Sequence, residues 1–269
     1  ERERNSGFSI HLVLANHDGA LWLTAPLDAE NPQYPDISQI FQCANRQQRA
    51  IKDLFGVRAI PSSPAAGQSP HVDERPWLRH TAWRYDQFPL RPESRPSTDN
   101  HDSEDYPFVA VEGEGVHEIP VGPVHAGIIE PGHFRFSVIG ERVLRLEERL
   151  GYTHKGIDKR FSELSLLDGV RLAGRVSGDS TVAYAWAYAM ACEALVEATP
   201  PMHAIWLRAL FLERERIANH LGDLAYLGND GGLAFGLAQF MRLKEDVLRL
   251  NARLFGHRRY RDRCSGLYP

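Results

Sequence analysis

The sequence predicts an α+β protein: a small N-terminal α/β domain, followed by a small antiparallel sheet and a helical bundle. Three observations predict it. Short apolar runs with strand character cluster near the N-terminus, a Pro- and charge-rich stretch interrupts the middle, and helical periodicity dominates beyond Gly156. At 269 residues, 43% of them hydrophobic, the chain exceeds one average domain and can bury two cores of ordinary size.

Phe8 to Leu14 and Ala20 to Pro26 read as strands separated by Asn16-His-Asp-Gly19, whose Asp-Gly step suits a hairpin turn. From Asp36, an N-cap residue type, Ile40, Ala44, Ile51 and Leu54 recur at helical spacing until Gly56 supplies a C-terminal stop. That helix is expected to pack on the sheet. Pro61 to Pro70 and Pro89 to Asp105 read as irregular, and the second marks a boundary between a domain over 1–92, a linker over 93–117 and a second domain over 118–269. Phe134 to Val138 and Arg142 to Leu146 form a predicted hairpin around Ile139-Gly-Glu141. Helices are expected over Asp158 to Leu167, Asp168 to Ala198, Met202 to Leu227 and Leu233 to Phe255, with Pro200-Pro201 and Gly228 to Gly232 as breaks.

Composition narrows the function classes. A formal charge of -4 argues against nucleic acid as the main partner, because phosphate binding needs a surplus of Lys and Arg. The one basic cluster, Arg253 to Arg263, is interrupted by Tyr260 and Asp262 and reads equally as a partner contact or a solvated face. Cys43, Cys192 and Cys264 lie far apart, so neither a disulfide framework nor a self-contained zinc or iron-sulfur site is predicted, and a reducing compartment fits best. No apolar run approaches the roughly 20 residues that span a bilayer, which predicts a soluble or peripheral protein. No glycine pattern suited to nucleotide phosphates is present, so direct NAD binding is unsupported.

On the Met202 to Leu227 helix, Trp206, Leu210, Ile217 and Leu224 fall on one face and are expected to form its buried stripe. Glu213, Arg216 and His220 border that stripe. Glu213 and Arg216 are three apart and can neutralise each other, either as a satisfied ion pair at a helix interface or as the wall of a polar cavity. His125, His133 and His154 fall near loops or strand ends, where a histidine either bonds a turn carbonyl or does chemistry.

Gly122-Pro-Val-His125, Glu130-Pro-Gly-His-Phe134, His154-Lys-Gly156, Arg175-Val-Ser-Gly178, Glu213-Arg-Glu-Arg216 and Asn219-His220 occur in one order. Over about Val121 to Pro269 the chain thereby resembles the large subunit of membrane-bound nickel-iron hydrogenases of the formate hydrogenlyase and hydrogenase-4 type. It also resembles their relative, the 49-kDa subunit of respiratory complex I. Tyr34-Pro35, Arg49, Asp53-Leu-Phe-Gly56 and Phe88-Pro-Leu90 make about Phe8 to Leu90 similar to the 30-kDa subunit of complex I, a non-catalytic assembly module that bacteria often carry fused to the 49-kDa subunit. Gln48, Ala50 and Lys52 depart from that family's usual Glu, Glu and Tyr.

The resemblance implies a subunit of a large redox complex. In the hydrogenases an Arg-x-Cys-Gly-x-Cys motif gives two thiolates to nickel and iron. Ser177 and Ser180 stand at those positions here, with Tyr184 at a following His, so the resemblance implies the shape of that site without its metal. In the complex I relatives the equivalent cavity receives a quinone through a Tyr and a His. Tyr188 matches the Tyr and His125 the His, although Ala126 and Ile129 break the surrounding pattern. Tyr188 and His125 are therefore the candidate catalytic pair, with Glu213, Arg216, His220, Ser177, Ser180 and Tyr184 lining the cavity. A small iron-sulfur subunit is the implied electron donor and antiporter-like membrane subunits the implied anchor, which places the chain on the inner face of the bacterial cell membrane. A second Cys pair is expected in a further helical segment after Leu267-Tyr-Pro269, which makes the chain read as a fragment or a short paralogue. A scaffold with an empty cavity is the alternative, and an active nickel-iron hydrogenase a less favoured third.

Overall fold

The structure, a computed structural model, describes residues 7–62, 72–80, 83–94, 106–124 and 130–260. It has both helices and small sheets, the α+β class the sequence predicts. Two compact units divide the chain, residues 1–155 and 156–269. The three-stranded sheet thus belongs to the first unit, whereas the sequence pattern groups it with the helices.

The first unit opens with the expected hairpin, β1 (Phe8–Asn16) and β2 (Gly19–Leu27), in register from Phe8↔Leu27 to Asn16↔Gly19. Asn16 Oδ1 accepts the backbone N–H groups of Asp18 and Gly19 and shapes the turn. A parallel pair follows, β3 (Gln33–Pro35) and β4 (Arg58–Ile60), connected through α1 (Ala44–Phe55). Tyr34, Val57 and Ala59 form the core, packed by Phe8, Ile10, Leu27, Ile51, Phe55 and Val72.

Asp36 does not cap α1, which starts eight residues later. Its buried carboxylate instead accepts the Ser38 N–H at 2.8 Å and the Gln48 side-chain amide at 2.7 Å, pinning the turn before the helix to its first half. These bonds hold the carboxyl below its usual pKa against the opposing effect of burial. The C-terminal stop is as expected: Gly56 sits at φ 69° and its N–H bonds the Lys52 carbonyl. A Cβ added there would lie 2.7 Å from the Phe88 ring. Gly56→Ala is therefore expected to cost at least about 2 kcal/mol, about 1–2 from the left-handed backbone alone and the rest from displacing Phe88, read as a lower urea midpoint.

The third sheet is antiparallel, β5 (His117–Val121), β6 (His133–Ile139) and β7 (Arg142–Arg149), with the predicted turn between β6 and β7. Part of the stretch assigned as a linker is anchored to it. The Val109 N–H bonds Glu147 Oε2 at 2.7 Å, and the Tyr106 ring lies under the Arg149 guanidinium at 4.1 Å.

The second unit contains α2 (Ile157–Glu163), α3 (Leu166–Ala173), α4 (Thr181–Leu195), α5 (Met202–Asp230) and α6 (Ala234–Phe255). The single helix expected over Asp168 to Ala198 is broken in two, because residues 174–180 form a turn between α3 and α4. The expected buried stripe of α5 is also corrected: Trp206 is 70% exposed, Leu210 and Ile217 49% each and Leu224 44%. The helix buries Arg208, Glu215, Ala218, Gly222 and Ala225 instead. Small side chains there let neighbouring helices approach closely, and Arg208 is neutralised by a two-point bond to Glu193 of α4 at 3.1 and 2.5 Å.

Among the described residues no helix is long and apolar enough to cross a membrane.

Candidate functional site

The turn of residues 175–180 delivers the chain into α4, and its geometry is set from outside the turn. Ser180 stands at the N-cap position but makes no side-chain cap bond. Glu215 of α5 takes over, accepting the N–H groups of Val182 at 2.7 Å and Ala183 at 3.2 Å. A carboxylate at a helix N-terminus pairs with its unsatisfied donors and the positive end of its dipole. Burial raises the Glu215 pKa all the same, against those two bonds, and nearby Asp179 adds to the rise.

Ser177 donates its hydroxyl to Asp179, the largest cause of that carboxyl's lowered pKa. Asn219 of α5 donates to the Asp179 carbonyl at 2.6 Å, and Arg259 to the Gly178 carbonyl at 2.7 Å. Asp179, Glu215, Asn219, Lys244, Asn251 and Arg259 surround a polar pocket with about 10 Å³ of free interior. That is room for about one water molecule and no larger ligand. Burial, then Arg259, lowers the Lys244 pKa. Below the pocket, Arg214 donates to Asn251 Oδ1 at 2.6 and 2.8 Å and to the Tyr260 hydroxyl at 2.8 Å.

The predicted site residues separate into three groups. Ser177 and Ser180 lie on the turn just described. Tyr188 points toward α2 and α3: its hydroxyl donates to the Leu166 carbonyl at 2.9 Å, and its ring stacks on Phe161 at 5.5 Å. Gly169 makes that possible, since a Cβ there would lie 2.2 Å from the Tyr188 hydroxyl. Burial, then the Cys192 thiol, raises the Tyr188 pKa. Glu213 and Arg216 do pair with each other, but on the exposed face of α5, where His220 is exposed as well. Tyr184 is 46% exposed. Among the described residues, no hydrogen bond or ring contact joins Tyr188 to Glu213, Arg216 or His220. His125 lies outside the described residues, as do Ala126 and Ile129. His133 follows the structural reading, with Nδ1 3.3 Å from the Gly122 carbonyl oxygen.

Glu215, Arg214, Asp179, Lys244 and Asn251 are the organising groups that sequence reasoning missed. A signal was present in Ala218, Gly222 and Ala225, which recur at helical spacing and define a face of small residues on the same side as Arg208 and Glu215. As donors to a nickel-iron centre, Ser177 and Ser180 do not fit. Each offers a neutral, hard hydroxyl oxygen, and that of Ser177 is already committed to Asp179.

The strand-and-helix module around α1 and the helical unit carrying the Arg175–Ser180 turn are similar to parts of subunits of complex-I-like redox assemblies. Residues 1–100 match the family described as the 30 Kd subunit of the respiratory-chain NADH dehydrogenase. The chain is 30% identical over 269 residues to formate hydrogenlyase subunit 5 of Escherichia coli, covering 96% of this chain and 46% of that protein. It is also 30% identical to hydrogenase-4 component G of the same organism, again over 96% of this chain and 46% of the relative. Against an NADH-quinone oxidoreductase subunit of Dehalococcoides mccartyi it is 32% identical over 149 residues, 54% of this chain and 37% of the relative. The chain is thus a relative of the fused 30-kDa and 49-kDa type of subunit, and it spans about half the length of the first two relatives.

Proposed function

We propose that the chain serves as a subunit of a multi-subunit, membrane-associated redox complex, where it helps line a quinone-type cavity without nickel and iron and is not catalytic alone. The observation that carries this reading is the similarity to formate hydrogenlyase subunit 5 along 96% of the chain, combined with hydroxyl side chains at Ser177 and Ser180. A small iron-sulfur subunit would deliver electrons, and antiporter-like membrane subunits would hold the complex against the inner face of the cell membrane. In this reading Tyr188 and His125 hydrogen-bond a quinone carbonyl and Tyr188 supplies a proton. Tyr188→Phe in the assembled complex is expected to lower quinone reductase turnover at least about tenfold and to change its pH profile, with complex assembly intact.

One observation favours a second reading, a scaffold with no redox chemistry in this chain. The Tyr188 hydroxyl already has an acceptor in Leu166, and its ring is packed on Phe161. On that reading Tyr188→Phe leaves turnover unchanged, whereas loss of the whole chain breaks up the complex.

A further inference from the structure

Two groups cover Tyr188, and they differ in how firmly they are held. The Phe161 ring of α2 lies against the Tyr188 ring, 16° from parallel with 5.5 Å between centres, and the Leu166 carbonyl of α3 accepts its hydroxyl at 2.9 Å. A flat ring on the phenol face and a carbonyl oxygen on the phenol hydroxyl are also the two contacts a quinone would make there. α3 is anchored, since it buries Gly169, Val170 and Ala173 and Ser165 caps it through the Asp168 N–H. α2 is not. It is seven residues long, buries none of them, and is bounded by Gly156 in the left-handed conformation at φ 65° and by the extended Leu164. A helix of two turns is marginal without packing, so what α2 touches decides where it lies.

We infer that α2 is a gate over Tyr188, with Phe161 holding the stacking position that a quinone ring must take. The inference rests on the role proposed for Tyr188. Gly156 and Leu164 are the hinge points, because the backbone leaves helical geometry at both. When α2 swings away, the Tyr188 hydroxyl exchanges the Leu166 carbonyl for a quinone carbonyl, one neutral acceptor for another, at little net cost. The aromatic stack is what opening the gate loses. The apparent affinity for quinone is therefore reduced by the fraction of the time the gate is open, and a stacked pair of this kind shifts that fraction by about two- to tenfold. On this view the packing of Tyr188 is a closed state of the site rather than a sign of disuse.

In the assembled complex, assayed with decylubiquinone, Phe161→Ala should lower the KM about two- to tenfold and leave kcat unchanged. Phe161→Tyr keeps the ring and should keep the native KM. Because α2 buries none of its residues, neither change threatens the fold. A second readout does not depend on turnover. Saturating decylubiquinone should speed hydrogen exchange at the amides of Arg160 and Leu164, which bond the Gly156 and Phe161 carbonyls, since α2 frays once released from its stack. A KM that Phe161→Ala leaves unchanged or raises overturns the gate, because the ring then stands clear of the bound quinone or stacks on it. Exchange that stays the same with quinone present overturns it as well. Failure of the underlying reading looks different: there Tyr188→Phe keeps native turnover, whereas a failed gate alone leaves Tyr188→Phe slow and only the Phe161 effects missing.

Discussion

Arg49→Ala is expected to destabilise the N-terminal unit by about 3–5 kcal/mol, the scale on which removing one member of a buried charged network acts. Arg49 is 5% exposed in α1 and serves acceptors on segments distant in sequence. Its Nε donates to the Arg75 carbonyl at 2.7 Å, and its Nη2 to the Pro76 carbonyl at 3.1 Å and the Tyr106 hydroxyl at 2.6 Å. Nη1 lies 3.6 Å from Asp73, and the guanidinium sits 5.2 Å from the Trp77 ring centre. Truncation leaves two backbone carbonyls and a hydroxyl desolvated without this donor, and it opens space beneath Trp77. Asp53 cannot compensate, since a carboxylate only accepts: its Oδ2 takes the N–H groups of Trp77 at 2.7 Å and Leu78 at 2.8 Å and offers no donor to the orphaned oxygens. With a urea slope of about 1–3 kcal/mol per molar, the midpoint should fall by more than about 1 M. Arg49→Lys keeps the charge but not the planar fork, so it should recover less than half of the loss. A loss under about 1 kcal/mol for Arg49→Ala would show that water replaces the guanidinium freely.

That network shows what a linear reading reaches. The hairpin at Asn16–Gly19, the stop at Gly56 and the β6–β7 turn were legible because each is decided by a few adjacent residues with restricted backbones. Arg49 and Asp53 stood out as carriers of the resemblance to the 30-kDa subunit, yet their partners at 73–79 and at Tyr106 are matters of tertiary contact that no local pattern reveals. Helix periodicity located α5 correctly and assigned its faces wrongly. Trp206, Leu210, Ile217 and Leu224 are the most apolar row, but the row that packs is Ala218, Gly222 and Ala225, where small size permits close approach. The same inversion hid the candidate site. In Glu213-Arg-Glu-Arg216 the outer pair is the exposed one, while Arg214 and Glu215 turn inward to Asn251, Tyr260 and the start of α4. The break between α3 and α4 was missed because Gly174 and Gly178 are tolerated inside a helical pattern when nothing else marks an end.

Glu215→Ala is expected to cost the helical unit about 2–4 kcal/mol, because it strips the N-terminus of α4 of a cap that Ser180 does not provide. The Val182 N–H carries most of that cost: its residue is fully buried, whereas Ala183 is exposed and can turn to water. The effect should appear as faster hydrogen exchange in the first turn of α4 and as a lower melting temperature. Glu215→Gln separates the bond from the charge, since the amide oxygen can still accept the Val182 N–H. Burial holds the folded Glu215 pKa above its unfolded value, so the ionised carboxylate burdens the native state at neutral pH. The native protein therefore gains stability on the Gln variant as pH falls through the folded pKa toward the unfolded value of about 4.5, and the gain levels off below it. Asp179 runs the other way: its folded pKa is lowered, so its contribution is present above about 3.8 and is lost below. Melting curves of the two proteins between neutral pH and about pH 5 isolate the Glu215 effect before Asp179 begins to protonate. A gap between native and Gln variant that stays constant over that range would show that the carboxylate is solvated through the pocket beside Asn219. In that case the turn carrying Ser177 and Ser180 is held by Asn219 and Arg259 rather than by Glu215.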